Sequence, residues 1–133
     1  MKRILVACCM LAAVAHTSHA QQQQSAQVAN VPVPVSKSEF AQKVKELNKL
    51  LGKDKIEDAN ALFTTINKMA NTQMGQTRLK MKDAQNDADK KKYAEATTKQ
   101  RIVFADALRL KQENMAGNRK LIIDKLNEFV DMM

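Results

Sequence analysis

The side chains best suited to chemistry in this chain all lie in its first twenty residues. The two cysteines are Cys8 and Cys9, and the two histidines are His16 and His19. A thiolate or an imidazole is the usual nucleophile, general base or zinc ligand of an enzyme. What this first segment does therefore decides which chemistry is open to the protein.

The first segment has the order of a secretory signal peptide. Lys2 and Arg3 form a basic start, residues 4–14 are an unbroken apolar run, and residues 18–20 (SHA) place small residues at both critical positions of a cleavage site. The apolar run is too short to span a bilayer. We therefore expect cleavage after Ala20, a bacterial source, and export to the periplasm or out of the cell.

A lipid anchor is the alternative interpretation of the same residues. Residues 5–8 (LVAC) look like a lipidation motif in which Cys8 would carry the lipid. Such a cut leaves far fewer apolar residues before it than the roughly 7–15 of an h-region, which favours the signal peptide.

After cleavage, residues 21–133 contain no Cys, His or Trp. Without a disulfide, packing alone must hold the fold.

The residue types left in 21–133 exclude most catalytic chemistry. Glycines stand singly at positions 52, 75 and 117, so no Gly-rich loop can cradle a phosphate. Asp83, Asp87 and Asp89 lie close together, but in a lysine-rich polar stretch, and we interpret them as solvated charges. We expect no enzymatic activity and no cofactor.

Methionine is the remaining soft metal ligand, because thioethers bind Cu(I). Met69 and Met74 point about 140° apart on a helix, and only Met74 and Met81 share a face. Filling of a core or an interface by this flexible side chain is therefore favoured over copper, and we expect no metal site. The methionines of residues 21–133 are Met69, Met74, Met81, Met115, Met132 and Met133.

A basic cluster is the strongest indication of a partner. Between residues 78 and 101, eight basic side chains face four carboxylates, in a chain whose net charge falls from +8 to +6 once Lys2 and Arg3 are removed. Such a surface attracts anionic polymers, lipid headgroups or acidic chains. Nucleic acid is not favoured, since Tyr93 is the only aromatic side chain there for stacking. The alternative is a solvated face that keeps a small bundle in solution. The cluster comprises Arg78, Lys80, Lys82, Lys90, Lys91, Lys92, Lys99 and Arg101.

The elements that must position this cluster are helices. Residues 21–35 carry no charge and end with two prolines, which predicts a disordered tether. Residues 36–133 have no proline, no alternation with period 2, and apolar stripes at helical spacing. They predict an all-α, up-down bundle of about four helices in two hairpins, with coiled-coil-like packing. Each predicted helix carries one phenylalanine for the core: Phe40, Phe63, Phe104 and Phe129.

Local signals predict where the first two helices begin. Ser36 with Glu39, and Asp54 with Glu57, have the spacing of capping boxes. Gly52 lies between the two helices, where a left-handed residue commonly ends a helix. We therefore expect helix starts after Ser36 and Asp54, with Gly52 in the left-handed region.

The later boundaries are less uniform. Gly75 only weakens the second helix, so its end is open, and the polar stretch at 86–92 predicts the turn before the third helix. Gly117 and Asn118 predict the end of the third helix and the cap of the fourth. Alternatively, the second and third helices are much longer than the others. Their hairpin would then project, with a thin seam that a second subunit covers.

Two functions of different classes follow. The first is non-catalytic binding to an envelope protein or another anionic surface through the basic cluster. The second is an oligomeric structural or holdase-like role in the periplasm, in which the projecting hairpin joins the subunits. In composition and length the chain is similar to the trimeric periplasmic holdase chaperones, although no shared motif carries that similarity. Beyond the signal, no apolar stretch is long enough for a membrane span.

Overall fold

The computed structural model of the protein describes residues 33–133. In that range the chain forms four helices and no strand, and residues Pro34–Met133 make one compact unit. The all-α prediction is confirmed. The predicted signal peptide and most of the predicted tether, residues 1–32, lie outside the described residues. The helices are α1 (Lys37–Leu51), α2 (Ile56–Asp83), α3 (Asp87–Asn114) and α4 (Arg119–Asp131).

Each helix packs against two others. The neighbouring pairs are α1 with α2, α2 with α3, α3 with α4, and α4 with α1, so the four helices form a ring around one core. Short connections at 52–55, 84–86 and 115–118 join successive helices. Such connections make successive helices antiparallel, as in an up-down bundle.

A chain of four aromatic rings crosses the core. Phe40 of α1 stacks on Phe129 of α4 with ring centroids 5.2 Å apart, and Phe129 meets the ring of Phe104 edge-on at 5.6 Å. Phe104 in turn stacks with Phe63 of α2 at 6.2 Å. All four rings are buried, which confirms the prediction of one core phenylalanine in each helix.

The helices differ greatly in length. α2 and α3 have 28 residues each, whereas α1 has 15 and α4 has 13. Phe40 lies in the first turn of α1 and Phe129 in the last turn of α4, but Phe104 comes 17 residues after the start of α3. At 1.5 Å per residue, α3 runs about 25 Å past the aromatic layer. The α2–α3 pair therefore extends beyond the other helices, and we call residues 74–99 the projecting hairpin.

The start of α1 differs from its prediction. Ser36 does occupy the N-cap position, but its side chain caps no backbone N–H. Its hydroxyl instead pairs with the hydroxyl of Ser38 at 2.8 Å. The predicted capping box with Glu39 is therefore wrong, because a nearer hydroxyl takes the oxygen that the box requires.

The first helix does end at Gly52, but the predicted left-handed conformation of Gly52 and the predicted helix start after Asp54 are wrong. Gly52 is right-handed, with a φ of −71°, and the left-handed residue is Asp54, with a φ of 53°. The amides of Lys53 and Lys55 both bond to the carbonyl oxygen of Leu50, at 3.0 and 3.1 Å. The chain thus continues its right-handed turn past Gly52 and reverses at Asp54, so α2 begins at Ile56.

The turn of the long hairpin lies earlier than predicted. α2 continues through Gly75 to Asp83, and only residues 84–86 connect it to α3. Asn86 caps α3: its Oδ1 accepts from the amide of Asp89 and its Nδ2 donates to the Asp89 carboxylate, both at 2.8 Å. Most of the polar stretch at 86–92 therefore belongs to the first turns of α3.

The α3–α4 connection uses asparagine side chains in place of a left-handed glycine. α3 ends at Asn114, three residues before Gly117, and no glycine between residues 33 and 133 has a positive φ. The amide of Gly117 donates to Oδ1 of Asn114 at 2.8 Å. Asn118 does precede α4, but its side chain donates to the carbonyl oxygen of Leu110 at 2.9 Å instead of capping the helix.

Candidate functional site

The fold brings the two halves of the basic cluster to one end of the molecule. Arg78, Lys80 and Lys82 lie in the last turns of α2, and Lys90 to Lys92 lie near the start of α3, on either side of the turn at 84–86. Lys99 and Arg101 follow along α3. All eight side chains are exposed.

Positive charge is concentrated at this end. Residues 78–101 carry eight basic and four acidic side chains, an excess of four, while the rest of 34–133 carries twelve basic and ten acidic side chains, an excess of two. About a quarter of the described chain therefore supplies two thirds of its net charge. An anion approaching the protein meets the strongest attraction at the projecting hairpin.

Few of these basic side chains are paired with carboxylates. Lys90 lies 3.8 Å from Asp87, and the other seven have no carboxylate within 4 Å in the part of the chain that the structure describes. The ammonium of Lys92 lies over the ring of Tyr93, 5.9 Å from its centroid. Outside the cluster, three of the twelve basic side chains, Lys43, Arg109 and Lys125, have a carboxylate partner.

Helix electrostatics account for part of this charge. Cations near a helix C-terminus and anions near an N-terminus are stabilising, which explains Lys80 and Lys82 in α2 and Asp87 and Asp89 in α3. Residues 90–92, three consecutive lysines, follow the first turn of α3, near its positive end. The macrodipole gives these three lysines no stabilisation.

The cluster is divided between two sides of the hairpin. Residues 7, 11 or 18 apart share a helix face, so Met74 and Met81 continue the face of α2 that carries Phe63. Arg78 lies about 40° from Met74 and about 60° from Met81, and Lys82 lies beyond it on the same side of α2, whereas Lys80 lies about 200° from Arg78.

The same division holds on α3. Thr97 and Tyr93 continue the face of Phe104, and Lys90 and Arg101 flank them at helical spacing. Lys92 and Lys99 lie on the other side of α3, and Lys91 points away from α2. We call the side that carries Met74, Met81, Tyr93 and Thr97 the bundle-side face, because it continues the face that α1 and α4 cover in the bundle.

The seam between α2 and α3 becomes polar toward the tip. Gln73, Thr77 and Gln100 are buried, and the hydroxyls of Thr77 and Thr97 donate to carbonyl oxygens four residues earlier in their own helices. The sequence predicted a thin seam here that includes Thr77, but not the burial of Gln73 and Gln100 in it. Its signal was the spacing of Gln73 and Thr77 after Ala70 on the apolar stripe of α2.

Other arrangements that could carry chemistry find little support. Among the described residues no group of three His, Cys, Asp or Glu side chains could hold a metal ion. The three aspartates singled out from the sequence do not converge: Asp83 and Asp87 are exposed, and Asp89 is engaged by Asn86. No helix within 33–133 is long and apolar enough to cross a membrane.

A shallow cleft lies at the opposite end of the bundle. It has a volume of about 440 Å³, and Asn48, Arg119, Lys120 and Asp124 are among its lining residues. Nε of Arg119 donates to Oδ1 of Asn48 at 2.8 Å, which fastens the start of α4 to the end of α1. Arg119, Lys120 and Asp124 are all exposed, so we assign this pairing a structural role.

No protein-family model matches the chain, and no curated protein and no solved structure is significantly similar to it.

Proposed function

We propose that this is an exported, non-catalytic binding protein that holds an anionic envelope partner at the end of its projecting hairpin. The observation that carries this proposal is the excess of four positive charges on residues 78–101, which run from the tip to the base of a hairpin that extends beyond the bundle. Unpaired cations on a projecting element are accessible from several directions. Their field speeds encounter with an anionic surface.

The proposal is tested by moving the same charge change between the tip and the bundle. The tip variant is Lys90→Glu, Lys91→Glu and Lys92→Glu. The control is Lys45→Glu, Lys49→Glu and Lys53→Glu, three exposed lysines of α1 and the following turn. Each triple substitution changes the formal charge by the same six units. Binding to a sulfonate resin is measured by the salt concentration that elutes the exported protein.

We expect the tip variant to elute at clearly lower salt than the control, because charges farther apart than about 10 Å are largely screened at 0.1 M salt. Far-UV circular dichroism checks that both variants keep their helices. Equal elution of the two variants would show that only total charge matters, and the tip would lose its assigned role. The export part of the proposal requires that the protein from the cell envelope begins at Gln21 by intact mass.

A second candidate is an oligomeric, holdase-like protein joined through the projecting hairpin. It is favoured by the bundle-side face, which no helix within 33–133 covers beyond the ends of α1 and α4. It is opposed by charge, since two hairpins would bring two excesses of positive charge together. Light scattering at low and high salt separates the candidates. We expect a monomer at both, and an oligomer that strengthens with salt would favour the second candidate.

A further inference from the structure

The bundle-side face has an apolar floor. In the bundle, the faces of α2 and α3 that carry Phe63 and Phe104 are covered, and both rings are buried. Toward the tip the same faces continue as Met74, Met81 and Tyr93, which are only half-buried. The stripe that drives packing in the bundle therefore continues where α1 and α4 have ended, interrupted by Thr97, whose hydroxyl donates to the carbonyl oxygen of Tyr93 within α3.

We call the space along the bundle-side face, between α2 and α3, the groove. The ends of the two short helices, α1 and α4, close it at its base. Nε2 of Gln100 donates to the carbonyl oxygen of Met132 at 3.1 Å, which fixes the end of α4 against α3. Val35 and Met133 pack against the core beside it, half-buried. From Gln100 to the start of α3 there are 13 residues, or about 20 Å. A helix about as long as α4 would fit this space.

The rims of the groove are cationic. Arg78 and Lys82 border it along α2, and Lys90 and Arg101 border it along α3. Within 4 Å of these four side chains, the described residues supply one carboxylate, that of Asp87 beside Lys90. An apolar floor between two rows of cations complements a helix with an apolar stripe between two rows of anions, as in helix-in-groove recognition.

We propose that the bundle-side face of the projecting hairpin binds an acidic amphipathic helix of a partner protein. This inference rests on the proposed binding function and names the partner's chemistry. The helix would lie along Met74, Met81 and Tyr93, where α1 and α4 would continue if they were longer. A second copy of this hairpin does not fit as well, since its own rims are cationic and would meet like charges.

The test uses a defined peptide and charge reversals on either side of one helix. The probe is a fluorescein-labelled, capped peptide of roughly 14 residues, with leucines at i, i+4, i+7 and i+11 and glutamates beside them. A second peptide has lysine in place of every glutamate. Arg78→Glu changes the rim of the groove, and Lys80→Glu makes the same charge change on the other side of α2. Binding to the exported protein is followed by fluorescence anisotropy.

We expect the acidic peptide to bind and the basic peptide not to bind. Arg78→Glu should weaken binding about tenfold or more, and Lys80→Glu less than about threefold, because only Arg78 borders the floor. A second pair tests the floor itself. Met81→Glu should weaken binding strongly, whereas Leu79→Glu, at a half-exposed position on another face of α2, should not.

The outcomes separate the groove from the general binding function. Equal losses for Arg78→Glu and Lys80→Glu, with resin binding retained, would overturn the groove and leave the anion-binding tip in place. If the unsubstituted protein binds neither the resin nor the acidic peptide, both proposals are rejected. A dimer by light scattering that Met81→Glu dissociates would make a second copy the occupant, which also overturns the inference.

Discussion

The side-chain amide of Gln100 donates to the carbonyl oxygen of Met132 at 3.1 Å and joins the middle of α3 to the end of α4. Gln100 is only 1% exposed, and its Oε1 is buried without a donor among the described residues. A buried, unsatisfied acceptor costs about 1–3 kcal/mol. This residue marks the level at which the four-helix bundle gives way to the projecting hairpin.

Gln100 provides a test of that buried geometry. Gln100→Leu removes one hydrogen bond and also the unsatisfied acceptor, so we expect the free energy of unfolding to stay within about 1 kcal/mol of the original. Gln100→Glu places a buried carboxylate against a carbonyl oxygen and should cost more than about 3 kcal/mol at pH 7. Urea unfolding at pH 7 measures both.

The cost of Gln100→Glu should shrink as the pH falls. Burial raises the pKa of a carboxyl group, and below that raised pKa the protonated acid can donate to the Met132 carbonyl. Repeating the unfolding at pH 4 checks this, with Gln100→Leu as the control for acid effects elsewhere. If Gln100→Glu is as stable as the original at pH 7, water reaches this site and the base of the groove is open.

The aromatic chain makes a second prediction. Phe129 contacts two rings, Phe40 at 5.2 Å and Phe104 at 5.6 Å, and is fully buried. Phe129→Ala should lower the free energy of unfolding by about 3–5 kcal/mol, through lost burial and the cavity it leaves. The control is Leu121→Ala on the same helix, where the side chain is 53% exposed and the loss should stay below about 1 kcal/mol.

Similar losses for Phe129→Ala and Leu121→Ala in urea unfolding would contradict the assigned packing of α4. Such a result would mean that the apolar stripe of α4 does not hold this helix against the core. The projecting hairpin would then lose the end wall that α4 supplies to the groove.

The helical stripes were predictable from the sequence because burial on a helix repeats every 3.6 residues. Phe40, Phe63, Phe104 and Phe129 each lie on such a stripe, and each is buried. The end of α2 could not be predicted from Gly75. A single glycine costs only about 1 kcal/mol in a helix, and α2 continues through it to Asp83.

Gly52 is also constrained by a residue far away in the sequence, which local capping patterns do not include. A β-carbon there would lie 2.8 Å from Nη2 of Arg119, a residue 67 positions later in the chain. Gly52 makes room for that guanidinium, which Asn48 holds through Nε. Capping rules use only neighbouring residues, so they assigned Gly52 a left-handed conformation that Asp54 adopts instead.

The basic cluster was found from the sequence, but its division was not. Counting charges treats Arg78 and Lys80 alike, whereas the register of α2 places them on different sides of the hairpin. The sequence does not say which face of α2 and α3 the other helices cover. The buried positions of Phe63 and Phe104 identify that face. The groove therefore depends on tertiary packing and could not be read from composition.

A third prediction concerns Gly75, which lies inside α2 with open space around it. Gly75→Ala should raise the free energy of unfolding by about 0.5–1 kcal/mol, because alanine loses less backbone entropy in a helix. Gly52→Ala is the matched control and should give a smaller gain, since its β-carbon would move the guanidinium of Arg119, 2.8 Å away, and Gly52 lies outside the helices. Thermal unfolding of the two variants compares them. A gain at Gly52 as large as at Gly75 would show that the Arg119 contact contributes little.

A fourth prediction concerns the two ion pairs of Lys125, one with Glu128 within α4 and one with Asp106 of α3. Its ammonium lies 3.0 Å from Oε2 of Glu128 and 3.8 Å from Oδ2 of Asp106. The hydrogen bond and the charge of Glu128 raise the pKa of Lys125 above 10.5, with Asp106 contributing and desolvation opposing. A raised pKa means that the folded state binds this proton more tightly than the unfolded state.

The stabilisation from Lys125 is therefore complete below the unfolded pKa of about 10.5 and is lost as the pH rises through the higher folded value. Lys125→Met removes it at every pH, so the stability of that variant should fall less steeply than the original above pH 10. Lys120→Met, at an exposed lysine on the same helix without an ion pair in the described chain, should keep the original slope. Urea unfolding between pH 8 and 12 measures the slopes. If both variants follow the original curve, the ion pairs of Lys125 contribute nothing to the free energy of unfolding.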